Sequence, residues 1–70
     1  MSTLQSLWKD NFTIEYTLPN GERVTERFKG SLRSAIRHAL QRFNRATASF
    51  YTSRNYWLKE IGWNREGKQS

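Results

Sequence analysis

The residues of this chain with the most chemical capacity are its arginines. Between Glu26 and Glu60 there is no carboxylate, and the window holds Arg27, Lys29, Arg33, Arg37, Arg42, Arg45, Arg54 and Lys59, together with the only histidine, His38. Six of these eight cations are arginine. Its planar guanidinium meets phosphate or carboxylate through paired hydrogen bonds and stacks on flat rings. The acids stand apart: Asp10, Glu15, Glu22 and Glu26 lie in the N-terminal part, Glu60 and Glu66 near the C-terminus. A chain segregated in this way, with net charge +6, presents a directional field, and the chemistry it suits is the binding of an anion.

Catalytic chemistry finds little to work with. Glu15, Glu22 and Glu26 fall in a segment that reads as a hairpin, where they serve as cross-strand and turn residues. His38 falls among arginines, with no evident acid to orient it as a base. There is no cysteine, so thiol redox chemistry and a disulfide scaffold are excluded, and one histidine leaves no zinc ligand set. No glycine-rich phosphate loop is present. The expectation is a protein that is not an enzyme and uses no cofactor and no metal. A second candidate chemistry lies in the aromatics Phe50, Tyr51, Tyr56, Trp57 and Trp63, interleaved with Arg54 and Lys59. Such rings stack on bases or anchor a protein interface, although a chain of 70 residues needs most of its aromatics for its core. Trp63, beside Gly62 and ahead of a polar stretch, and Tyr56 are the candidates for aromatic contact.

These side chains must be positioned by short elements. Residues 12–18 alternate, with Phe12, Ile14, Tyr16 and Leu18 on one side and Thr13, Glu15 and Thr17 on the other, the period of a half-buried strand. Leu18-Pro19-Asn20-Gly21 predicts a type I turn with a glycine bulge. That turn pairs Leu18 with Glu22, Tyr16 with Val24, Ile14 with Glu26 and Phe12 with Phe28. Glu26 then falls on the apolar side, which requires a sheet edge where its carboxylate reaches water.

Ser31 reads as an N-cap, and Leu32, Ala35, Ile36, Ala39, Leu40 and Phe43 form the apolar stripe of a helix ending between Ala46 and Tyr51. Opposite the stripe, Arg37, Gln41 and Arg45 take the middle of the solvent face. Arg33 and Asn44 flank them on one side, His38 and Arg42 on the other. Like charges four residues apart cost about 0.2–0.5 kcal/mol each, so the face suits an anion better than it suits helix stability; a plain solvated face is the other reading. Residues 55–63 fit a third strand, or else a short helix capped by Ser53 and closed by Gly62, with the strand favoured. Leu4, Leu7 and Trp8 suit a short N-terminal helical turn.

The fold expected is α+β: one small domain over residues 1–63, an antiparallel β-hairpin followed by one main amphipathic helix and a third strand, in the order ββαβ, with 64–70 as a polar tail. The succession of strand, Asn20-Gly21 turn, strand, Phe28 and alanine-rich helix, over roughly residues 12–43, resembles the sheet-plus-helix DNA-binding domains at the front of some phage-type integrases. Other small basic proteins of ββα pattern, some phage-borne inhibitors of host defence among them, share it. The resemblance implies a fold, and function has to be read from the site.

The leading functional expectation is a nucleic-acid-binding protein, DNA or RNA, using Arg33, Arg37, Gln41, Arg42 and Arg45 with Arg54, Lys29 and Arg27; the helix arginines would contact phosphates, while the outer hairpin face (Arg23, Thr25, Arg27) or the exposed aromatics contact sugar or base. The alternative is a small phage-type inhibitor or adaptor docking the same cations on an acidic protein surface. Formation of a homodimer stays open. Apolar runs of two or three residues fall far short of the ~20 needed to span a membrane. With no signal-peptide pattern at the N-terminus, a cytoplasmic location and no membrane partner are expected.

Overall fold

A computed structural model describes residues 9–65. Within it the chain forms β1 (Lys9–Thr17), β2 (Arg23–Ser31), α1 (Leu32–Arg42), β3 (Arg45–Tyr51) and β4 (Trp57–Asn64). The strands make one antiparallel sheet in the order β2-β1-β3-β4, and α1 packs on β1 and β2. The class is α+β, as the sequence predicts, with one strand more than expected: ββαββ.

The first hairpin follows its turn chemistry. Gly21 has φ +92°, its N–H donates to the Leu18 carbonyl at 2.8 Å, and the Leu18 N–H donates to the Glu22 carbonyl at 2.8 Å. The register is the one the turn predicts, with Tyr16 opposite Val24, Ile14 opposite Glu26 and Phe12 opposite Phe28. The second hairpin, between β3 and β4, repeats this geometry without a glycine. The Thr52 N–H donates to the Tyr56 carbonyl and the Asn55 N–H to the Thr52 carbonyl, with Asn55 at φ +68°. Asparagine is among the few side chains that tolerate this left-handed conformation.

The helix starts at its predicted cap, the Ser31 hydroxyl oxygen accepting from the Ser34 N–H at 3.1 Å. It ends at Arg42, earlier than expected, and Phe43 is already extended. Residues 45–51 form β3, with Ala46, Ala48 and Phe50 buried. Alanine favours helix locally, but the open edge of β1 offers this alternating segment a full ladder of hydrogen bonds and a place in the core. Since β2 and β3 both run antiparallel to β1, α1 carries the chain over β1 from one side to the other.

Phe12, Ile14 and Tyr16 of β1, Ala48 and Phe50 of β3, and Ala35 and Ala39 of α1 form the buried cluster. Alanine at both helix positions lets the backbone of α1 approach the β1 aromatics closely. Phe43 packs on the cluster, whereas Leu40, expected in the same stripe, is half-buried outside it. Of the predicted tail, Asn64 belongs to β4 and the Arg65 N–H donates to the Asn44 carbonyl at 2.8 Å. The expected N-terminal turn at Leu4, Leu7 and Trp8, and residues 66–70, lie outside the described residues.

Candidate functional site

The cations do not gather on one helix face. Arg33, Arg37 and Gln41 are exposed on the outer side of α1, as predicted. Arg42 is not free there: its Nε donates to Glu26 Oε2 at 3.3 Å, and its guanidinium lies 5.0 Å from the centre of the Phe43 ring. His38 does have an acid partner, Glu26 Oε1 at 3.3 Å, and its ring stacks on Phe28 with centroids 5.0 Å apart. Arg45 opens β3 rather than lying on the helix, so it cannot join Arg37 and Gln41. The helix expectation failed here because α1 stops three residues before Arg45, which resets the side-chain phase from 3.6 to 2.

Glu26 is the hub that takes two of these groups out of reach. It lies on the helix-facing side of β2, an edge strand, and accepts a hydrogen bond from the Tyr16 hydroxyl at 2.6 Å. Burial pushes its pKa up, but donation from Tyr16, His38 and Arg42 outweighs this and holds the carboxyl below its ordinary value. The Tyr16 phenol moves the other way, raised by burial and then by its bond to Glu26. This cluster ties α1 to the edge of the sheet and serves the fold.

Among the described residues, no helix packs on the opposite face of the sheet. Strand alternation places Lys9, Asn11, Thr13 and Glu15 of β1 on it. Arg27 and Lys29 of β2, Ser49 and Tyr51 of β3, and Glu60 and Trp57 of β4 share it by register. One row crosses all four strands: Arg27 opposite Thr13, Thr13 opposite Tyr51, and Tyr51 opposite Trp57. Lys29 is two residues along β2 from Arg27, roughly 7 Å away. Arg54 sits in the turn that closes this end of the sheet. That turn is pinned to β1 where the Ser53 N–H donates to Asp10 Oδ2 at 3.3 Å. The Asp10 carboxyl is held below its ordinary value by backbone donation from Asn11 and Ser53, with Arg54 adding to the effect. Lys9, Arg27, Lys29 and Arg54 have no carboxylate within ion-pair distance among the described residues. Across the middle of the face the sign mixes, with Arg23 3.7 Å from Glu15 and Glu60 opposite Ser49. At the far end a shallow groove of about 500 Å³ lies between the first turn and β4, and Arg45 is the one charge on its wall among the described residues.

The aromatic expectation divides. Tyr56 is 68% exposed, as expected. Trp63 is not a free ring: it is half-buried against the core, and its Nε1–H donates to the Phe43 carbonyl at 2.8 Å. The other large ring left exposed among the described residues is Trp57, at 58%. A register shift between β3 and β4 at Phe50 and Tyr51 puts Trp57 on the other side of β4 from Trp63, where strict alternation would place the two on the same side. Lys9 was missed, and Tyr51 was named among the five aromatics without being singled out, because their side depends on which strands pair. Comparison with family models, curated proteins and solved structures gives no match. The geometry must therefore carry the functional reading. Among the described residues, no group of three or more His, Asp or Glu could hold a metal ion, and no helix is long and apolar enough to cross a membrane.

Proposed function

We propose that this protein is a nucleic-acid-binding module that meets the phosphate backbone with the uncovered face of its sheet. The observation that carries this is the convergence of Lys9, Arg27, Lys29 and Arg54 at one end of a face that, among the described residues, no helix covers and where none of the four lies within ion-pair distance of a carboxylate. Guanidinium and ammonium groups on a rigid sheet are held at strand spacing, so several phosphates can be met with little ordering cost. Arg33 and Arg37, on the far side of α1, would add to the general field and to long-range attraction more than to the contact itself. A second reading, docking on an acidic protein surface, draws on the mixed half of the same face, where the Arg23–Glu15 pair and Glu60 lie.

Titration of a labelled oligonucleotide at several salt concentrations separates the two. Arg27→Glu with Lys29→Glu is expected to weaken binding at least about tenfold and to flatten the dependence of log K on log salt by about 0.7–0.9 for each phosphate no longer neutralised. Arg33→Glu with Arg37→Glu should weaken it less. A stoichiometric protein partner that survives nuclease treatment of a lysate, with no oligonucleotide binding by the purified chain, would replace this reading with the second.

A further inference from the structure

We infer that the ligand of this face is single-stranded, its unpaired bases stacking on Trp57 and Tyr51 while its phosphates run toward Arg27 and Lys29; this rests on the nucleic-acid reading above. Trp57 and Tyr51 stand opposite each other on neighbouring strands, on the uncovered side of the sheet. Neither ring enters a ring–ring contact among the described residues, and Trp57 is 58% exposed. A tryptophan left this open in a chain with so small a core forgoes burial that would otherwise stabilise the fold. Its neighbours explain the exposure better as a contact surface. The row from Trp57 through Tyr51 and Thr13 to Arg27 covers three strand spacings, about 14 Å. It therefore ends in a ring pair on one side and a guanidinium on the other, with Lys29 alongside. Thr13, between them, is small enough to let a strand lie flat.

This layout discriminates between ligands. In a duplex the base faces are stacked on one another, and an exposed ring meets only groove edges and backbone. A single strand presents base faces, and each base stacked on an aromatic ring adds affinity with little regard to sequence. Cations alone would serve either form; the paired rings beside them favour the single strand. The acids Glu15 and Glu60, one row further along, set the limit of the patch and discourage a backbone from continuing across the middle of the sheet.

The test is an anisotropy titration at low salt with labelled strands of about 12 thymidines or uridines, and with a duplex of the same length. The wild type is expected to bind a single strand at least about tenfold more tightly than the duplex, with quenching of tryptophan fluorescence on binding. Trp57→Leu should lose about tenfold in single-strand affinity while duplex affinity changes less than about twofold, and Trp57→Phe should restore most of the loss. Equal or tighter binding of the duplex by the wild type overturns the inference and leaves the nucleic-acid reading standing. A Trp57→Leu variant that melts like the wild type and binds single strands equally well also overturns it. Absence of binding to either form overturns both. The wild-type comparison needs no variant to fold.

Discussion

Glu26 is the residue on which the sheet edge and the helix depend. Its carboxylate takes the Tyr16 hydroxyl at 2.6 Å and the Arg42 Nε at 3.3 Å in a partly buried position. Tyr16→Phe keeps the ring in the core and removes only this donor, so it should cost about 1–2 kcal/mol in chemical denaturation. The pH dependence has a definite sign. The folded carboxyl titrates below its ordinary value near 4.5, so the unfolded chain binds its proton first as pH falls. The cluster's contribution is complete above about pH 4.5 and is lost as pH falls through the lower folded value. Wild-type melting temperature should therefore drop more steeply below that point than that of Glu26→Gln. Parallel curves would show that the cluster contributes nothing to acid stability. The sequence exposed Glu26 as an anomaly on an apolar strand face. It could not show that His38 and Arg42 would come to it, because that depends on the crossing of α1 over the edge strand.

At the scale of elements, both hairpins rest on one residue with positive φ. Gly21→Val should cost about 2 kcal/mol or more, while Asn20→Asp, which retains an oxygen acceptor for the Glu22 N–H, should be nearly neutral. The same logic predicts that Asn55→Gly is tolerated and Asn55→Val is not, since Asn55 stands where Gly21 stands in the first turn. Thermal melts of the four variants check this; similar effects for the valine and the conservative change at either turn would contradict it. Just past the helix end, Phe43 meets the Tyr16 ring edge-on at 4.9 Å between centroids. Phe43→Ala should cost about 2–4 kcal/mol, and Leu40→Ala, half-buried outside the cluster, clearly less. The first hairpin and the helix start were legible because proline, asparagine, glycine and serine each have a local conformational reason to be where they are. The strand at 45–51 was not, because Ala46 and Ala48 favour helix locally and only the free edge of β1 makes them a strand.

Over the whole molecule, net charge is +6, and two groups of cations without an ion-pair partner among the described residues lie on surfaces that point away from each other. The outer side of α1 carries Arg33 and Arg37, and the uncovered sheet face carries Lys9, Arg27 and Lys29 with Trp57 and Tyr51 beside them. The charge segregation could be read from the sequence. So could the place of Arg27 on the outer face of the hairpin and of Arg33 and Arg37 opposite the helix stripe; that Arg45 leaves the helix and that Tyr51 and Trp57 join the hairpin's outer face could not, since both follow from where α1 ends and from the strand order. In the proposed function the sheet face makes the contact and the helix face lends attraction only. The most direct measurement is a two-dimensional amide NMR titration of the labelled protein with a short oligonucleotide. Shifts should concentrate on Asn11, Thr13, Arg27, Lys29, Tyr51 and Trp57 and leave Arg33, Arg37 and Gln41 nearly still. Shifts centred on the outer side of α1, with the sheet face unmoved, would contradict that division of roles.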